Sequence, residues 1–225
     1  MKLKYFGHSA FQIKTGKHSV LIDPFLDDNP VSTTKSSQVD ADFIVLTHAH
    51  GDHLGDALKI AKRCNSLFIT VNELAEWLKS KGARAHNMHI GGSHQFDFGR
   101  VKFTIAHHGS ITPDGQYAGE PAGVVLTVEG KNIYHTGDTG LFYDMKLIGE
   151  MNSPIEFLLC PIGDNFTMGI EDAVKAVELV QPKNVVPMHY NTFGVIKAEP
   201  EVFRSKVTAK GFNCRIMNFG EEIEI

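Results

Sequence analysis

Between Phe43 and Asp56 the chain reads FIVLTHAHGDHLGD, and four side chains in this run constrain the fold more than any others. His48, His50, Asp52 and His53 form the pattern H-x-H-x-D-H, directly after a short apolar stretch that reads as a buried strand. His48 and His50 are two apart, so both rings can face the same side of an extended chain. Gly51 is expected to let the backbone turn sharply, which leaves Asp52 and His53 near the start of the next helix. Imidazole nitrogens and a carboxylate oxygen gathered in a few ångströms are what a divalent metal requires. By chance the pattern is expected roughly 0.002 times in a chain of this length and composition. Twelve histidines in 225 residues is about twice ordinary usage, so something gathers them.

Three histidines and one aspartate do not complete a hydrolytic centre, so further ligands belong at the ends of other strands. Three places offer them. FTIAHHGS runs as a strand into His107 and His108, IYHTGDT ends a strand with Asp138, and VVPMHYN ends one with His189. Each sets a ligand-type residue just after an apolar strand, on what would be one rim of a rigid scaffold. Alternation puts His107 in phase with Val101, Phe103 and Ile105 and leaves His108 out of phase. Asp23 in LIDPF either bonds the His48–His53 loop from below or caps the turn before Pro24. His135 reads as a packed or supporting histidine. His8, Asn165, Tyr190 and Asn191 lie beside strand ends and are candidates for binding substrate. His18, His86, His89 and His94 fall outside the order and read as structural or solvent-facing, while Trp77 and the 74–78 stripe read as core.

Strands come first and α/β alternation follows. The spacing predicts strands over 2–6, 10–15, 19–23, 43–47, 101–106, 123–129, 132–135, 155–160, 184–187, 214–217 and 222–225. It predicts helices over 56–63, 72–81, 142–151, 170–180 and 199–210, the second capped by Asn72 and stopped by Gly82. Residues 24–40 read as a long loop, a candidate pocket lid or an interface in a homo-oligomer. No linker or strong repeat is visible, so residues 1–225 read as one domain. The order suggests two facing sheets with helices outside, an α/β (α+β) four-layer sandwich.

Composition narrows the partners. A net charge of −4 argues against a nucleic-acid partner, which needs a basic footprint. A mean hydropathy of −0.12 and no apolar run near the roughly 20 residues of a spanning helix argue against a membrane. MKLKYFGHSAFQIKTG alternates like a strand and does not read as a signal peptide, so the expected address is the cytoplasm. Three separated cysteines, Cys64, Cys160 and Cys214, read as small buried apolar side chains and not as a disulfide framework.

Strand-T-H-A-H-G-D-H, a strand with histidine, T-G-D-T and a strand ending in histidine, taken in that order, resemble the metallo-β-lactamase superfamily from Asp23 to His189. GHSAF, MHIGGSHQFDFG and PIGDNFTMG resemble a branch of short metal-dependent hydrolases near the L-ascorbate-6-phosphate lactonases. The resemblance implies an αββα fold and two divalent ions. The first would take His48, His50 and His108, which sits before Gly109-Ser110 as the ligand does in relatives. The second would take Asp52, His53 and His189, with Asp138 bridging. It implies a shared, acidified water attacking a small-molecule ester or lactone, phosphorylated or not, with Asp52 orienting that water. Zinc is favoured by the imidazoles and manganese by the lactonase branch, and iron also suits the donors. The competing readings are a phosphodiesterase or RNA-processing nuclease on the same core, and a metal-binding protein without catalysis.

Overall fold

A computed structural model describes residues 1–225. Seven strands build the first sheet: β1 (Lys2–Gly7), β2 (Ala10–Lys14), β3 (Ser19–Ile22), β4 (Phe43–Val45), β5 (Leu67–Val71), β6 (Arg84–Met88) and β14 (Glu222–Glu224). The second holds β7 (Ser93–Phe96), β8 (Gly99–Ile105), β9 (Ala122–Val128), β10 (Lys131–His135), β11 (Ile155–Pro161), β12 (Asn184–Met188) and β13 (Asn213–Cys214). Their orders are β14-β1-β2-β3-β4-β5-β6 and β13-β12-β11-β10-β9-β8-β7.

Alternation along the strands of the second sheet shows how the layers stack. Val124 and Leu126 of β9, Phe157 and Leu159 of β11, and Val186 of β12 join the core shared with Leu3, Phe11, Ile13 and Ile44 of the first sheet. The out-of-phase residues Val125, Tyr134, Leu158, Cys160 and Val185 face the other way, onto helices. Those helices are α4 (Met145–Met151), α5 (Ile170–Val180) and α6 (Pro200–Ala209), which contribute Met145, Ala173, Val177, Phe203 and Val207. On the first sheet α2 (Ala57–Cys64) and α3 (Asn72–Ser80) pack through Ile60, Leu74, Trp77 and Leu78. This is the expected αββα sandwich. Period-2 apolar faces on a sheet covered on both sides require it. Truncating a buried side chain such as Phe103 or Leu126 to alanine would cost about 2–5 kcal/mol.

Several local expectations change. LFITV (β5) was not anticipated; its β-branched run pairs in parallel with β4 and β6 and places two helices on one face. Asn72 is the first helical residue and not the cap; Val71 occupies the cap and Asn72 instead accepts a bond from the Asn87 side chain at 2.9 Å. The turn after His50 is made by His50 itself in extended geometry, and Gly51 simply opens the short helix α1 (Gly51–Leu54). The glycine that the loop needs is Gly55, at φ +43, where a Cβ would lie 2.5 Å from the Pro24 carbonyl oxygen. The expected strand over 214–217 is cut to Asn213–Cys214, and the 142–151 helix starts at Met145. All three cysteines are free, but only Cys160 is buried. The hairpin at Glu129-Gly130 has both residues at positive φ, as a tight two-residue turn demands.

Candidate metal centre

The centre lies where loops after β1, β3, β4, β8, β10 and β12 meet. The loop after β4 carries His48 and His50, and α1 carries Asp52 and His53. His48 Nε2 and His50 Nδ1 stand 3.0 Å apart, and the His108 ring lies 5.1 Å from both rings. These three nitrogens form one set of potential donors within 4.8 Å of one another. Asp52, His53 and His189, together with His8, form a second set within the same limit.

Asp138 stands between the sets. Its Oδ2 is 2.9 Å from His189 Nε2, 3.2 Å from His53 Nε2 and 3.7 Å from His108 Nε2. The turn that delivers it needs Gly137, at φ +63, where a Cβ would sit 2.6 Å from the Ala122 oxygen. Of the adjacent pair, His108 turns inward, whereas His107 is exposed and stacks on Phe142 at 5.0 Å.

The hydrogen bonds outside the centre fix what faces inward. Asp23 is fully buried and accepts from the Thr47 backbone N–H at 2.9 Å, the Thr47 hydroxyl at 2.6 Å and His53 Nδ1 at 2.8 Å. The Thr47 hydroxyl has one proton and gives it to Asp23, so its oxygen accepts from His48 Nδ1 at 3.0 Å. Both rings are thus held with the Nδ1–H outward and Nε2 turned inward, the arrangement by which an outer carboxylate orients a metal-ligating histidine. Of the two readings of Asp23, the loop-bonding one matches the structure.

Several inward atoms make no aligned hydrogen bond. His53 Nε2, Asp138 Oδ1 and both ring nitrogens of His189 are buried without a hydrogen-bond partner, although Asp138 Oδ2 lies close to both rings. Orphaned buried polar atoms are costly, and they cluster here where donors of metal-ligand type converge. The carboxylates gather positive charge at the same place. Burial opposes charge on His53, yet Asp138 and Asp23 outweigh it and lift its imidazole well above the ordinary value, so that a cation taken up at Nε2 would displace a proton. Asp138 is held well below the usual carboxylate range, burial being overcome by His189 and His53. Burial pushes His48, His50 and His108 down, which keeps each ring neutral with one nitrogen free of a proton. The residues therefore fit divalent cations in donor type, tautomer and charge.

The other candidates divide. His8 is buried against Asp52 at 3.1 Å. Tyr190 is not in the centre: alternation after His189 turns its ring outward into the helix-side core with Phe203 and Val207. Asn191 spends its amide on Ala198, donating to its carbonyl at 2.9 Å and accepting from its N–H at 3.0 Å. Asn165 is exposed on the 163–169 loop, with no side-chain bond to the centre. His135 is packed, its Nε2 3.0 Å from the Ser9 carbonyl oxygen. His86 and His94 pack against each other, tilted, at 4.3 Å and join none of the donor sets. Sequence reading missed Thr47, Thr192 and an aromatic wall of Phe25 and Phe193 beside His8. Only Phe25 carried a signal, its place in LIDPF directly after Asp23 and Pro24.

A beta-lactamase superfamily domain matches residues 18–190, which include every candidate ligand. The chain belongs to that superfamily. It is 52% identical to a metal-dependent hydrolase of Bacillus licheniformis over 229 residues, covering 100% of this chain and 99% of the relative. It is also 52% identical to the metal-dependent hydrolase YtkL of Bacillus subtilis over 230 residues, at 100% coverage of both. A metallo hydrolase from the hyperthermophilic archaeon Ignicoccus hospitalis superposes with a TM-score of 0.91 at 40% identity, covering 100% of this chain and 98% of that one. No helix of the superfamily member described here is long and apolar enough to cross a membrane.

Proposed function

We propose that this metal-dependent hydrolase acts on a small ester or lactone with two divalent cations at the centre. The first would be held by His48, His50 and His108, the second by Asp52, His53 and His189, with Asp138 reaching both. The observation that carries the reading is the pair of donor sets sharing one buried aspartate, with their inward nitrogens orphaned. Five imidazoles favour zinc, and manganese or iron suit the same nitrogen and oxygen donors. Bound there, the cations supply Lewis acidity, acidifying water and polarising the scissile group.

The chain's own residues supply orientation. Asp23 and Asp138 are enclosed, whereas the Asp52 side chain is 29% exposed, so Asp52 is the carboxylate of the centre that can touch both water and substrate. Burial would raise its pKa, but the His8 hydrogen bond and the charge on His53 hold it below the usual range. Ionised at neutral pH, it is a weak base suited to orienting the attacking water and passing its proton toward the leaving oxygen. No lysine or arginine pairs with any candidate ligand; the lysine and arginine ion pairs all lie on other carboxylates. Beside His8, the partner of Asp52, stand instead Phe25 and the 38% exposed Phe193. Such a wall supports an uncharged carbonyl substrate with an apolar part over a polyanionic strand.

The test is hydrolysis of a chromogenic acyl lactone and of bis-p-nitrophenyl phosphate, each before and after chelation and zinc or manganese restoration. Chelator-sensitive turnover of the lactone is expected, with Asp52→Asn slowing it about 10²–10⁴-fold at unchanged unfolding temperature. Phosphodiester cleavage alone would assign the centre to the other substrate class, and activity on neither with metal bound would make the protein a non-catalytic binder.

A further inference from the structure

β1 ends at Gly7, and the next residue, His8, stands at φ +57. A non-glycine residue in this left-handed region costs about 1 kcal/mol or more and persists only where its surroundings hold it. Here two contacts hold the backbone. The His8 carbonyl accepts from the Tyr5 hydroxyl at 3.1 Å and from the His189 N–H at 2.9 Å. The side chain is fully buried, with its Nε2 3.1 Å from Asp52 Oδ2 and its Nδ1 3.0 Å from the Thr192 hydroxyl. Rings of His189, Phe193, His53 and Phe25 surround it at 4.0, 5.5, 5.6 and 5.7 Å.

The tautomer follows from these partners. An ionised carboxylate only accepts, so the proton sits on Nε2 and is donated to Asp52. Nδ1 is then an acceptor, and the Thr192 hydroxyl donates to it; its other acceptor, the Tyr190 carbonyl, is farther at 3.4 Å.

We infer that His8 is a positioning residue of the second donor set: its side chain fixes the Asp52 carboxylate while its carbonyl fixes the His189 backbone. One residue just after the first strand thus sets two donors that arrive from α1 and from the end of β12, 44 and 181 positions later in the chain. This role rests on the two-cation reading above, and it explains why a strained position carries a histidine and not a glycine. Glycine would relieve the backbone and leave Asp52 unanchored.

Cobalt(II) titration of the full chain, followed by visible absorption, tests the inference, with ester turnover measured beside it. His8→Ala is expected to weaken the second equivalent about 10–100-fold, leave the first within about 3-fold, and lower kcat more than it raises KM. His8→Gln keeps an N–H donor on the same strained backbone and is expected to restore most of that loss. Thr192→Val removes only the lock on the ring and is expected to give a smaller loss in the same direction; it carries the test if His8→Ala does not fold. Unchanged affinity for the second equivalent in His8→Ala would overturn the role. So would a His8→Gln as weak as His8→Ala, or a changed band shape for the second equivalent, which would mark His8 as a ligand. A parent chain that takes only one equivalent would overturn the two-cation reading instead, and His8 would then be judged by the same alanine and glutamine comparison on that site.

Discussion

Asp23→Asn is the substitution whose consequences the structure lets one work out most fully. Asp23 already sits at φ +44, a conformation asparagine accepts readily, so the change adds no backbone strain. It removes one acceptor and installs a donor of the same shape. If the asparagine oxygen keeps the Thr47 N–H, its NH2 group faces both the Thr47 hydroxyl and His53 Nδ1, which Oδ2 had accepted at 2.6 and 2.8 Å. The hydroxyl can turn and accept instead. His53 can only follow by moving its proton from Nδ1 to Nε2, the nitrogen that faces Asp138. One to two buried hydrogen bonds to a charged group are lost, at about 1.5–3 kcal/mol each, giving roughly 3 kcal/mol in all. At 2–4 °C per kcal/mol for a chain of this size, unfolding in chelator should fall by about 6–12 °C. The displaced proton also competes with a cation, so zinc or cobalt affinity should fall about 10–100-fold. A variant that unfolds within about 2 °C of the parent and binds metal as tightly would refute the assignment of the His53 Nδ1–H to Asp23 and with it the reasoning about an Nε2 held toward the centre.

The adjacent histidines give a paired contrast. His108→Ala should cut affinity for the first cation by at least about tenfold, while His107→Ala, which removes only a ring stacked on Phe142, should leave it within about 3-fold; competition with a chromogenic chelator measures both, and the opposite order would reassign the ligand. The single tryptophan reports a separate acid transition. Trp77 Nε1 donates to Asp114 at 2.9 Å, and Asp114 is held at about 2 by the Thr112 hydroxyl and Lys81. Because the folded pKa lies below the unfolded value near 3.9, this contribution to stability is complete above about pH 4 and is lost as pH falls toward 2. Trp77 emission should therefore change as pH falls through about 2, and Asp114→Ala should show the altered emission already at pH 7; identical emission in the two proteins at pH 7 would reject the link.

How far the sequence could be read depended on whether a property was local. H-x-H-x-D-H is legible because ligand-type residues are scarce and six positions hold four of them. The layers are legible because β9, β12 and most of β11 alternate between two apolar faces. Asp138 and His189 were placed by order within a family, not by any local pattern, since one aspartate in a turn and one histidine after a strand are common. The errors came from treating nearness in sequence as direction in space. Tyr190 and Asn191 follow His189 directly, yet one points into the outer core and the other folds back onto Ala198. The bonds of Asp23 to Thr47 and of His8 to Thr192 span 24 and 184 positions, and no spacing rule connects such pairs. LFITV was passed over because five residues between two helices leave a short run that could extend either one.

A regularity invisible in the side chains explains why those distant pairs meet. From its β14 edge, the first sheet runs antiparallel three times and then parallel three times. From its β7 edge the second sheet does the same. In each, the third antiparallel pairing brings in the strand, β3 or β10, at which the parallel half begins. Asp23 is the first residue after β3 and Asp138 the third after β10. Two aspartates from equivalent strand ends thus reach His53 from opposite sides, one at Nδ1 and one at Nε2. The fold needs no long-range code between them. It needs only that each half end the same strand in an acid, and facing the two sheets then closes both carboxylates on one imidazole. A substitution at either aspartate therefore acts on the same ring: Asp23→Asn through its tautomer, Asp138→Asn through the charge that the ring and its neighbours share.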